Sequence, residues 1–129
     1  MNEFVADTMA LVIRIERRTV SEKVKLIFEQ TEKEHSIIYI PAIVFAEVMY
    51  LSAKNRIKTT LDEVKKYMMQ YKNVKEFPMS FSVVESALMI TDIRELHDRL
   101  IASTARVMNL ELITNDPIIQ ASSFVKTIW

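Results

Sequence analysis

Four acidic residues stand where a short chain could bring their carboxylates together: Asp7, Glu47, Asp98 and Asp116. Asp7 closes the apolar run NEFVA, and Glu47 interrupts AIVFAEVMYL, where a lone buried carboxylate is costly. Asp98 and Asp116 bound the stretch HDRLIASTARVMNLELITND and are 18 residues apart. Taken singly, Asp7 and Asp98 also suit helix N-caps, the ordinary use of an aspartate at a strand-to-helix junction. Taken together, four acids that converge without a cation repel one another and favour protonation of some of their number. Their convergence would therefore imply a hard divalent cation held by oxygen ligands.

Convergence depends on the elements between the acids. NEFVAD reads as a strand ending at Asp7, followed by a buried helix over TMALVIRIERR that emerges into charge. SEKVKLIFEQTEKEH carries Val24, Ile27 and Phe28 at helical spacing, with Ser21 as cap. SIIYIP is a β-branched strand, and Pro41 leads into the helix AIVFAEVMYLSAKN. Thr60 and Glu63 form a capping box for TLDEVKKYMMQY, which is expected to pair with the helix before it; VKEFP is a third strand. Ser82 and Glu85 suggest a second capping box, for a helix through SVVESALMITDIREL that aligns Val84, Leu88 and Thr91. The helix DRLIASTARVM, the strand ELIT, a short turn or helix after Asp116 and Pro117, and the apolar segment FVKTIW complete the chain.

This alternation predicts right-handed crossovers and a single-domain, three-layer α/β/α sandwich with a central, mainly parallel sheet over residues 1–129. Lengths then connect the acids. A helix of about eleven residues rises about 16 Å, and an extended return at about 3.3 Å per residue covers a similar distance. Asp116 thus returns close to Asp98. Asp7 lies at the carboxyl edge of the first strand, where open α/β sheets bind ligands. Glu47, six residues beyond Pro41, lies about two helical turns from the same edge.

Composition narrows the classes. Seventeen basic and seventeen acidic residues leave no formal net charge, so a nucleic-acid role would rest on a local site. No cysteine is present, which excludes disulfides, zinc–thiolate sites and thiol nucleophiles. Acidic Glu3 and Asp7 near the start, and the absence of a long uninterrupted apolar run, point to a cytoplasmic protein. Glycine is missing altogether, so Asn55 and Asn109 are expected to make the left-handed helix stops.

The segments VADTMALV, IPAIVFAEVMYLSAKNRI, LHDRLIASTARVMNLELITND and VKTIW resemble PIN-domain nucleases, especially the small VapC-like toxin ribonucleases of bacterial and archaeal toxin–antitoxin pairs. The resemblance spans nearly the whole chain. It implies that Asp7, Glu47, Asp98 and Asp116 are the acidic metal-binding and catalytic positions. Thr114 matches the Ser or Thr beside the last acid, and Thr8 the threonine of the opening motif. The implied activity is Mg2+- or Mn2+-dependent hydrolysis of RNA phosphodiesters; the implied partners are RNA, a cognate antitoxin and a second copy in a homodimer. Asn55 and Asn109 replace glycines common in that family, and Met9 and Glu95 depart from its usual auxiliary residues.

Arg14, Arg17, Arg18 and Arg99 could guide RNA phosphates, against the simpler reading of surface ion pairs. Asp92 and Glu95 could extend the acidic site, against the simpler reading of solvated surface; His97 could touch substrate, against the simpler reading of a capping or surface histidine, and His35 has no partner in sequence. Phe45, Met49, Tyr50, Met68 and Met69 could form an adaptable groove, although most of the set is expected in the core. The resemblance implies that the antitoxin occupies such a groove. Two other functions compete with the ribonuclease: a catalytically inactive PIN-like module that binds RNA or protein, and a phosphoryl-transfer domain with an aspartate nucleophile. The latter is disfavoured because Asp7 lacks a second Asp two positions later.

Overall fold

The computed structural model describes the whole chain, residues 1–129. Its β-branched runs form five strands: β1 (Asn2–Ala6), β2 (Ser36–Pro41), β3 (Val74–Phe77), β4 (Glu111–Ile113) and β5 (Thr127–Ile128). Seven helices connect them: α1 (Thr8–Ile15), α2 (Glu22–Glu32), α3 (Ala42–Ala53), α4 (Leu61–Gln70), α5 (Phe81–Ala87), α6 (Leu96–Met108) and α7 (Pro117–Gln120). The strands make one sheet in the order β3-β2-β1-β4-β5, with every pairing parallel. Val5, Ala6, Ile38, Ile40, Leu112 and Ile113 are fully buried, as expected for a parallel sheet covered by helices.

The strand order determines where a ligand can enter. The chain leaves β1 toward β2 and leaves β4 toward β5, in opposite directions across the sheet. Right-handed crossovers then place α1 to α4 on one face and α5 to α7 on the other. The carboxyl ends of β1 and β4 flank the crevice left between the layers, the place where open α/β sheets bind ligands. Val5 pairs with Leu112 and Ala6 with Ile113, so Asp7 and Thr114 leave the sheet side by side.

Local chemistry sets the boundaries. Ser21 and Thr60 cap α2 and α4, the latter with the complete Thr60–Glu63 box. Asn55 and Asn109 take left-handed φ of 55° and 54°, as expected. Arg17 and Glu34 fill two further left-handed positions, at φ 55° and 67°.

Two helix starts differ from the sequence reading. Ser80, not Ser82, caps α5 by accepting from Val83 N, and the helix ends at Ala87 rather than continuing toward Leu96. Within α5 Val83 and Ala87 face inward, Ile90 beyond it is buried, and Val84, Leu88 and Thr91 are exposed, the reverse of the expected face. Glu95, not Asp98, caps α6: its carboxylate accepts from Asp98 N at 2.7 Å. Asp98 is thereby moved into the first turn, where its own carboxylate is free of capping. No helix is long and apolar enough to cross a membrane.

Candidate functional site

Each predicted acid reaches the β1/β4 crevice from a different element. Asp7 is the N-cap of α1 and accepts from Ala10 N at 2.8 Å; it is only 6% exposed. Asp116 caps α7, where one oxygen accepts from Ile118 N at 2.8 Å and Ile119 N at 3.1 Å. Glu47 projects from the middle of α3 and accepts from Thr8 Oγ1 at 2.7 Å. Asp98 stands half-buried in the first turn of α6.

Thr114 and Thr8 hold this arrangement together. Fully buried Thr114 lies beside the Asp7 carboxyl, where its hydroxyl favours the charged form, and its Oγ1 accepts from Asp116 N at 3.1 Å. Arg99 has a local role: its Nε donates to Ile93 O at 2.9 Å, fastening the loop before α6.

The acids feel one another. Burial pushes the Asp7 carboxyl up to about 6, with Asp116 and Glu47 adding to the rise while hydrogen bonds from Thr114 and Ala10 oppose it. Asp98 is pushed up to about 7, first by burial and then by the charges of Glu95, Asp116, Glu47 and Asp7. No lysine or arginine forms an ion pair with any of the four; the basic side chains pair with Glu16, Glu32, Glu34 and Asp62 instead. The result is a concentration of carboxylate oxygens with no basic side chain paired to it, the donor chemistry that a hard divalent cation prefers.

The acids do not form the closed cage that simple convergence would give. No group of three or more His, Asp or Glu side chains is gathered tightly enough to hold an ion. Their mutual repulsion is uncompensated, and Asp7, Glu47 and Asp116 are each drawn to nearby N–H or O–H donors. They share one electrostatic neighbourhood without a common centre.

Two residues read from sequence as surface belong to the same neighbourhood. Glu95 Oε1 lies 2.6 Å from His97 Nδ1, and its other oxygen caps α6. This partner raises the His97 imidazole above its ordinary value, with smaller contributions from Glu47 and Asp98. The spacing E-x-H-D is a visible signal for that grouping, but it becomes meaningful only once Glu95 is the cap. Asp92 instead fastens the chain after α7, accepting from Ser122 Oγ at 2.8 Å and Ser123 N at 2.9 Å.

With this geometry established, comparisons place the fold. A family model described as PIN domain matches residues 4–124. Among solved structures, VapBC2 from Rickettsia felis bound to a promoter DNA fragment superposes with a TM-score of 0.72 at 20% identity, covering 98% of each chain. DNA-bound VapBC from Salmonella typhimurium gives a TM-score of 0.72 at 14% identity, over 99% of this chain and 98% of that one. FitAcB from Neisseria gonorrhoeae gives 0.68 at 18% identity, over 98% and 96%. Comparison with curated proteins gives no match.

Proposed function

Because the chain belongs to the PIN-domain family, which matches it over residues 4–124, we propose that it is a divalent-metal-dependent endoribonuclease, the toxin of a toxin–antitoxin pair. One observation carries the reading: Asp7 and Asp98, from opposite layers of the fold, both stand within reach of the charges of Glu47 and Asp116, and no lysine or arginine pairs with any of the four. Asp7, Glu47, Asp98 and Asp116 would hold Mg2+ or Mn2+. A bound ion of this kind would polarise the phosphodiester and lower the pKa of an attacking water.

The chain's own residues have separable roles. Asp7 is a rigid donor, fixed by Ala10 N and Thr114. Thr8 orients Glu47. Asp98, half-buried in the first turn of α6, would complete the ligand set from the opposite layer. Arg99 supports the start of α6 rather than reaching outward by its Nε.

Partners follow from exposed surface. Similarity to VapBC complexes supports an antitoxin as partner. An apolar depression of about 340 Å³ between α3 and α4, lined by Phe45, Leu61, Val64, Met68 and Met69, would receive its helix. Met69, in that lining, is exposed, and Met49 and Tyr50 on α3 are also exposed rather than in the core. The outward side of α5 and of the turn after it exposes Phe81, Val84, Leu88 and Met89 and suits a second copy in a homodimer.

RNA cleavage with Mg2+ or Mn2+, with and without chelator, tests the reading against Asp98→Asn. Cleavage should vanish in chelator and fall at least a hundredfold in the variant, while a melting curve shows that the variant is folded. The open ligand geometry favours one alternative, a catalytically silent PIN-like binding module. A folded, metal-supplied wild-type protein that cuts no RNA would establish that alternative.

A further inference from the structure

An open depression of about 900 Å³ lies where the ends of α1 and α3 meet the loop leading into α4, lined by Glu16, Arg18, Ser52, Asn55, Arg56 and Lys58 among others. Three of these are cations, and the single acid is already committed. Glu16 Oε2 accepts from Lys58 N at 3.2 Å, Thr59 N at 3.0 Å and Thr59 Oγ1 at 2.7 Å. Partial burial pulls its carboxyl upward, but these bonds and Arg18 hold it below the usual range.

The Glu16 anchor also fixes the loop. Asn55 turns the chain at φ 55°, Arg56 N closes on Leu51 O at 2.9 Å, and Thr59 is fully buried. Arg56 and Lys58 are therefore exposed on a held scaffold, and neither forms an ion pair. Between Glu47 and Asp62 the sequence holds no acid, whereas Lys54, Arg56 and Lys58 fall there. In a chain of zero formal charge this is a local, preorganised positive region.

Its position relates it to the acids. Asp7 begins α1 and Glu16 ends it; Glu47 precedes Ser52 by five residues on α3. At 1.5 Å per residue the depression lies at the far ends of α1 and α3 from the crevice, roughly 8 Å along the helix from Glu47 and 14 Å from Asp7. An acidic site repels an RNA strand everywhere except at the reacting phosphate, so flanking phosphates need cations of their own.

We infer that this depression is a phosphate-backbone subsite for the RNA strand that runs past the acids, with the unpaired Arg56 and Lys58 contacting phosphate oxygens. The inference rests on the ribonuclease reading above. A polynucleotide fits better than a protein segment, because Ile57 is the one apolar residue of the lining and protein interfaces need an apolar core.

The test is fluorescence anisotropy of a short labelled single-stranded RNA with the full chain in chelator, between about 50 and 200 mM salt. Arg56→Ala/Lys58→Ala should weaken binding on the order of tenfold and flatten the slope of log affinity against log salt by about 1.4. Lys66→Ala, which removes a cation paired with Asp62 elsewhere, should change neither. In cleavage assays the double variant should raise KM and leave kcat unaltered. Unchanged affinity and slope, or an equal loss in Lys66→Ala, would overturn the subsite. So would loss of binding to an acidic peptide with RNA affinity intact. Charge-dependent RNA binding by a wild-type protein that does not cleave would support the subsite and overturn the nuclease reading alone.

Discussion

Thr8 Oγ1 donates to Glu47 Oε1 at 2.7 Å, joining the first residue of α1 to the middle of α3 across 39 positions of sequence. The bond orients an acid that no basic residue pairs with, so Thr8 is a positioning residue in the proposed chemistry. Thr8→Val keeps the volume and removes the donor. Cleavage kcat should fall on the order of tenfold, the scale typical for residues that orient metal ligands, with KM for RNA little changed. Thr8→Ser should restore most of the rate, which a purely steric role for the threonine methyl would not allow.

The raised carboxyls make stability depend on pH in an unusual direction. Asp7 and Asp98 titrate near 6 and 7 in the folded protein but near 3.8 when unfolded, so between about pH 4 and 7 the native state binds more protons. Metal-free protein should therefore gain stability as pH falls from 7 toward 5. The raised imidazole of His97 acts in the same direction, since its contribution is lost as pH rises through its folded value. Glu32 and Glu16 act oppositely: their lowered carboxyls stabilise above about pH 4.5, and that contribution is lost on further acidification. Melting temperatures should peak near pH 5 in chelator, and saturating Mg2+ should flatten the decline toward neutrality. A melting temperature that rises steadily from pH 5 to 7 in chelator would contradict the charged, unpaired site.

Asn109 closes α6 at φ 54° and ψ 44°, where its N–H bonds to Ala105 O and Arg106 O before the chain enters β4. The left-handed region costs a residue with an ordinary β-carbon about 1 kcal/mol or more, and asparagine less. Asn109→Ala should lower the urea midpoint by an amount equivalent to about 1 kcal/mol. Asn109→Gly should stay within a few tenths of the wild type. Equal losses in both variants would show that the Asn109 side chain, not the backbone angle, matters.

Most of the layout was legible because its signals are local. The strand SIIYIP, the Thr60–Glu63 box and the asparagine helix stops depend on a few adjacent residues and appear where expected. The α5 face is ambiguous in sequence because Ser80 and Ser82 are both followed by plausible helix; in the fold Val83 and Ala87 are the residues of α5 that pack inward. Similarly, Asp98 and Glu95 compete to cap α6, and sequence alone does not rank them. The acids' common neighbourhood followed from strand and helix lengths, but their spread did not. That spread depends on which N–H and O–H donors each carboxylate finds.

The polar network behind α1 offers a sharper energetic test. Arg14 Nε and Nη2 donate to the two oxygens of Glu32 at 2.8 and 2.7 Å, and Tyr67 Oη donates to Glu32 at 2.6 Å. The Arg14 and Glu32 side chains are only 12% and 11% exposed. Glu32→Gln removes the anion and strands a nearly buried guanidinium, a loss of about 3 kcal/mol or more. Tyr67→Phe removes one hydrogen bond to a charge and leaves the ion pair intact, so about 1.5 to 3 kcal/mol is expected. Chemical denaturation should thus rank Glu32→Gln below Tyr67→Phe, and both below wild type. Because the network grips α1 beyond the turn that carries Asp7 and Thr8, RNA cleavage by either variant should remain close to wild type at temperatures well below its melting point. Loss of kcat in folded Tyr67→Phe would mean that the network also sets the position of the α1 N-terminus.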